Sequence, residues 1–228
     1  MPTQLRSFDL ESMNAHGRQP GWVAGADGHE VGNPKVRAHL AHVMHVNEKG
    51  EPVYDQYLLM EQGGGMFLPV DVSGHIGLQK MWRMQTPNQE TYAKNYPAVD
   101  FGSLGRASWE IPGGFAKHGE TGAEAAHRES QEETGTAVVF QEELGLFCSN
   151  KAFNPHLVML TWGLVDPARK PVDKPDPNEV MLAKLEWFSI NDLAPLQAKG
   201  ELYEGGTLAA IALMMMKHPK SLLAKQLR

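Results

Sequence analysis

The chain has 228 residues, 42% of them hydrophobic and 21% charged, with a formal net charge of -6. That length holds one ordinary domain with an extension, or two small domains, and the balance is that of a soluble globular chain. The acidic excess argues against a broad basic surface for nucleic acid, and no apolar run of about 18 residues is present to cross a membrane.

In chain order, the segment MPTQLRSFDLESMNAHGRQP carries acidic residues and no apolar core, so no secretory signal is expected. The first thirty-five residues are rich in turn formers and lack periodicity, which predicts irregular or partly ordered chain. From Val36, VRAHLAHVMHV and VYDQYLLM flank NEKGEP and predict a β-hairpin. His39, His42 and His45 alternate poorly on a strand and spread around a helix, so they are not expected to gather a metal. Gly63 to Gly65 read as a break between an N-terminal extension, residues 1–62, and a main domain, residues 63–228. MFLPVDV and IGLQKMWRM around SGH predict a second hairpin, and Thr86 to Ser108 a long irregular loop.

Thr121 to Thr134 is helical by composition, with Thr121 as N-cap and Gly135 as C-terminal cap. AVVFQEELGLF and HLVMLTWGLV follow as strands, then a Pro-rich loop and the strand AKLEWFSI. The lone cysteine, Cys148, stands at a strand end and reads as structural; it excludes an internal disulfide framework and fits a reducing, cytoplasmic compartment. NDLAPLQAKGEL starts as a short helix, and GGTLAAIALMMMKH is a strong one whose Leu213 to Met216 run reads as core and interface. This mixture predicts an α+β domain built on a mixed sheet.

One local rule is broken. Glu129, Glu132 and Glu133 fall within five residues, on one side of the helix toward its C-terminal end, where like charges repel and the macrodipole disfavours anions. An acidic helix is ordinarily a solvated face, but this one follows the glycine-rich IPGGF and has only Arg128 as a cation in the same turn. A divalent cation resolves the repulsion. Mg²⁺ takes oxygen ligands and is commonly shared between carboxylates and substrate phosphates. The residues therefore point to metal-assisted attack on a phosphoric anhydride.

The spacing Gly114, Glu120, Arg128-Glu129, Glu132-Glu133, Gly135 resembles the Nudix box. EIPGG before it, and LEWFSINDL and GELYEGGTLAAIAL after it, resemble the ADP-ribose and nucleoside-diphosphate-sugar pyrophosphatases of that family, over about Met66 to His218. The resemblance implies a mixed sheet sandwiched between helices (α/β/α), with an N-terminal β-hairpin extension as a dimerisation arm. It implies Mg²⁺, with Mn²⁺ as the alternative, held by Glu129, Glu132, Glu133 and the carbonyl of Gly113. Arg128 would pair with Glu120 or the glutamates. Glu179, with Asp176 in reserve, would activate the water. Arg83 and Trp82 of QKMWR, Glu110 of EIPGG, and Phe153 would face the substrate, with Asn154 beside Phe153.

The implied substrate is a nucleotide-sugar-type small molecule and the implied assembly a homodimer, with no membrane and no nucleic acid as partner. Dinucleoside polyphosphates, nucleoside triphosphates, capped RNA and a non-hydrolysing nucleotide sensor are the alternatives. Ser130 and Thr136 replace aliphatic residues of the family pattern, so looser packing of the helix is expected there. The loop Thr86 to Ser108 is longer than in relatives and is expected to be a lid, a dimer contact or an altered specificity loop.

Overall fold

The computed structural model describes residues 3–7, 38–61, 63–82, 94, 107–166 and 185–219. The chain divides into two compact units, Met1–Gln62 with Cys148–Leu157, and Gly63–Phe147 with Val158–Arg228.

In the first unit β1 (Thr3–Ser7), β2 (Ala38–Val46) and β3 (Pro52–Glu61) form an antiparallel sheet in that order. The hairpin between β2 and β3 is the expected one. Asn47 builds its turn, accepting from the backbone N–H of Lys49 at 2.9 Å and of Glu51 at 3.0 Å, as an Asx turn does. β1 is the described part of the first thirty-five residues, for which irregular or partly ordered chain was expected. TQLRS has little strand character of its own, and its strand state comes from pairing with β2, Thr3 opposite His45.

The second unit is built on a mixed sheet of β4 (Gly64–Val70), β5 (Ile76–Trp82), β6 (Ala107–Glu110), β7 (Gly113–Phe115), β8 (Ala137–Phe147), β9 (Val158–Asp166) and β10 (Glu186–Phe188). The main path runs β10-β5-β4-β9-β8, with β6 on β5 and β7 on β4. Among the described strands only β4 and β9 pair in parallel, Gly64 opposite Val158. The β4–β5 hairpin turns on Asp71, whose carboxylate accepts from the N–H groups of Ser73 and His75, each at 2.8 Å. The helices are α1 (Gly122–Thr134), α2 (Ile190–Ala198) and α3 (Gly205–Lys217). The predicted loop Thr86–Ser108 ends earlier than expected, because Ala107 and Ser108 already belong to β6; residues 86–93 and 95–106 lie outside the described set.

Side-chain alternation covers both faces of this sheet. Phe67 of β4 and Val165 of β9 pack with Ala126 of α1, whereas Leu68 and Leu160 pack with Ala210, Ile211 and Met214 of α3. Neighbours 67 and 68 are both fully buried on opposite faces, and each such side chain contributes about 1.5–3 kcal/mol of transfer free energy. The layers are thus helix, sheet, helix, as expected. Gly64 and Gly65 open β4. A Cβ on Gly65 would fall on the carbonyl oxygen of Gly122, and one on Gly64 on that of Gly114, so glycine is there for close backbone approach. Among the described residues no helix is long and apolar enough to cross a membrane.

Candidate active site

The acidic helix α1 is fixed at both ends by local chemistry. Thr121 accepts from the N–H of Glu124 at 3.2 Å, and Glu124 accepts from the N–H of Thr121 at 2.8 Å, a capping box. Those bonds from Thr121 hold the Glu124 carboxyl below its ordinary range. Gly135 ends the helix in the left-handed region at φ 67, its N–H bonded to the carbonyl of Gln131 at 3.0 Å. Ser130 faces the interior, fully buried with its hydroxyl unpartnered among the described residues, and Thr136 is nearly buried.

Arg128 organises the loop before the helix. Its Nε and Nη2 donate to the two oxygens of Glu120 at 2.9 Å each, a bidentate pair. Nη2 also reaches the carbonyl of Phe115 at 3.1 Å, and Nη1 donates to Glu129 at 2.8 Å and Glu132 at 2.7 Å. Lys117 approaches Glu132 at 3.4 Å. The Arg128 bond holds the Glu120 carboxyl below the usual carboxylate range, and Glu120 with its neighbours raises the guanidinium above its own. One guanidinium therefore serves three carboxylates and ties loop to helix. It also relieves part of the repulsion that the sequence presents.

The remaining glutamate is turned inward. Glu133 is 5% exposed, and its Oε2 accepts from the N–H of Gly113 at 3.0 Å and from Nε2 of Gln79 at 2.7 Å. Glu129, one turn earlier, lies against Gly114, where any Cβ would collide with its carboxylate. Two carboxylates thus converge on the backbone of Gly113–Gly114, a cradle only glycine leaves open. Hard carboxylate and carbonyl oxygens are the donor set that Mg²⁺ takes, so these residues fit the ion. In the arrangement seen, Glu129 and Glu132 face Arg128, and among the described residues no group of three His, Cys, Asp or Glu converges on one point.

The cradle itself is stitched to the sheet and to α3. Trp109 N–H donates to the carbonyl of Glu201 at 2.7 Å, Ile111 N–H to Thr207 Oγ1 at 3.1 Å, and Phe67 N–H to the carbonyl of Pro112 at 2.9 Å. Glu110, expected to face the substrate, is instead buried, 1% exposed, and accepts from the Ser108 hydroxyl. Gln79 is the residue that sequence reasoning missed: a lone Gln in a strand gives no local signal, and its partner is 54 positions away.

Trp82 ends β5, its backbone opposite Ala107. Arg83, Asp176 and Glu179 lie outside the described residues. Phe153 is exposed in the loop Cys148–Leu157, which belongs to the first unit; Asn150 caps that loop, its side chain accepting from the N–H groups of Ala152 and Phe153 at 3.1 Å. A cavity of about 380 Å³ lies on a different face of α1, between Glu124, His127 and Gln141–Glu143, and none of the three clustered glutamates lines it.

Residues 99–208 match the NUDIX domain family. That span contains Glu110, the glycine cradle, the three glutamates and Glu179, and leaves Trp82 and Arg83 outside. The fold is similar to a solved structure described as an ADP compounds hydrolase, with a TM-score of 0.57 and 13% identity over 80% of this chain and 86% of that one. A NUDIX hydrolase from Nitrosomonas europaea is similar with a TM-score of 0.48 and 18% identity, over 68% of this chain and 89% of that one. No curated protein sequence matches the chain.

Proposed function

We propose that the chain, whose residues 99–208 match the NUDIX domain family, is a hydrolase of phosphoric anhydrides that cleaves the diphosphate of a nucleoside-diphosphate sugar such as ADP-ribose, with Mg²⁺ or, in its place, Mn²⁺. The observation that carries this reading is the convergence of Glu129 and Glu133 on the Gly113–Gly114 backbone. Glu129, Glu132, Glu133 and the Gly113 carbonyl would hold the ion. Bound there, it supplies charge neutralisation for the diphosphate oxygens and polarises the anhydride.

The chain's own residues do the rest. Arg128 fixes the directions of Glu129 and Glu132, so that part of the orienting is done before substrate arrives. Glu179, or Asp176, takes the proton of the attacking water as its oxygen bonds to phosphorus. The P–O–P bridge then breaks, and the bridging oxygen leaves on the second phosphate, giving two phosphate monoesters. Arg83 would orient the substrate, with Trp82 offering an aromatic face to it. The similar fold described as an ADP compounds hydrolase supports this substrate class.

Residues 1–62 act in this reading as a dimerisation arm, since β1 and β3 are the two edges of its described sheet and edge strands invite pairing. A cytoplasmic homodimer that holds neither membrane nor nucleic acid fits the lone cysteine and the acidic charge. The test is a chromatographic screen with Mg²⁺ against ADP-ribose, other nucleotide sugars, dinucleoside polyphosphates and nucleoside triphosphates. AMP and ribose 5-phosphate from ADP-ribose are expected. Preferred turnover of a polyphosphate would move the substrate class, and no turnover with tight binding would make the chain a sensor.

A further inference from the structure

We propose that Gln79 is a positioning residue for Glu133, holding that carboxylate in the orientation in which it meets the metal; this rests on the metal-dependent reading of the same site. Gln79 is 1% exposed on β5, between the buried Leu78 and Met81 of the same strand. An apolar side chain of similar length would suit such a position. The amide instead spends its nitrogen on Glu133 Oε2 at 2.7 Å, while its own Oε1 is buried with no partner among the described residues. An unsatisfied buried carbonyl is unfavourable, so packing alone does not account for the choice of glutamine.

The amide's orientation is dictated as well. Turned over, it would set a carbonyl oxygen against a carboxylate oxygen and lose the bond. Gly113 N–H reaches the same Oε2 at 3.0 Å from the loop. Glu133 is therefore held from two directions, by the sheet through Gln79 and by the glycine cradle through Gly113, which fixes rotation of the carboxylate about its last bond. Donors behind a metal-binding carboxylate act in this way, and losing one typically weakens metal binding by about 10- to 100-fold.

The test is Mn²⁺ binding to the full chain, followed by the electron paramagnetic resonance of free Mn²⁺, for wild type, Gln79→Met, Gln79→Asn and Glu133→Gln. Gln79→Met keeps the volume and removes both the donor and the orphaned oxygen. It should melt with wild type and bind Mn²⁺ about 10- to 100-fold more weakly. Its activity should recover at high metal, so the metal midpoint moves while kcat stays within a few fold. Gln79→Asn, which retracts the donor by one methylene, should fall between, and serves alone if Gln79→Met does not fold. Wild-type Mn²⁺ affinity in the folded Gln79 variants, with Glu133→Gln impaired, overturns the role of Gln79 and leaves the metal site standing. Wild-type affinity in Glu133→Gln overturns both.

Discussion

Replacing Arg128 by Gln removes a cation that bonds Glu120, Glu129 and Glu132 together. Five hydrogen bonds go with it, two of them the bidentate pair to Glu120. The side chains of Arg128 and Glu120 are 14% and 15% exposed. A surface pair would contribute about 0–1 kcal/mol, and breaking a fully buried one costs about 3–5 kcal/mol. This pair lies nearer the buried limit but keeps some solvent, so a loss of about 2–4 kcal/mol is expected. For a chain of this size that lowers the melting temperature by roughly 5–15 °C.

Arg128→Lys keeps the charge but loses the fork, and should lose about half as much. The assay is thermal melting of both variants, of Glu120→Gln and of the double variant. The Arg128–Glu120 coupling energy should come out at about 1–3 kcal/mol. An Arg128→Gln protein melting within about 1 °C of wild type would refute the reasoning, because the loop would then be held without this residue.

Gly114→Ala should displace Glu129, a flexible side chain, so that stability changes by under about 1 kcal/mol while turnover falls at least about tenfold; melting and rate measured on one preparation check this, and an unchanged rate would remove Glu129 from the site. The Glu120 carboxyl is held below its ordinary value of 4.5, so the stability it adds is complete above that pH and is lost as pH falls through its lower folded value. Urea midpoints from neutral to strongly acidic pH should therefore converge between wild type and Glu120→Gln on the acid side, and a constant gap throughout would contradict the assignment. Glu179→Gln should lower kcat by about 10²–10⁴-fold with KM little changed, as steady-state kinetics would show; an unchanged kcat passes the role to Asp176.

What was legible in the sequence was mostly local. Thr121 and Gly135 bracket α1 because an N-cap and a left-handed glycine act within a turn of themselves. The family pattern, aliphatic at this position, placed Ser130 toward the interior, and the glutamates stood out as a broken rule of charge placement. What was not legible is non-local. β1 is a strand only because β2 lies beside it, and the backbones that require glycine at positions 64 and 65, at Gly114 and Gly122, lie far along the chain. The sharing of Arg128 among three carboxylates was half visible. Its spacing to Glu132 is one helical turn, but Glu120 reaches it only through the folded loop. Gln79 had no signal at all, since its significance is a bond to Glu133 across the interior.

The most direct measurement is hydrolysis of the preferred diphosphate by metal-stripped protein, titrated with Mg²⁺, for wild type beside Glu133→Gln. Activity should be absent in chelator, rise with Mg²⁺ in wild type, and stay lower by about 10²-fold or more in the variant, which should melt as a folded protein. Turnover at the wild-type rate in chelator, or by Glu133→Gln at the same Mg²⁺, would contradict the assignment of the three glutamates to a metal-dependent site.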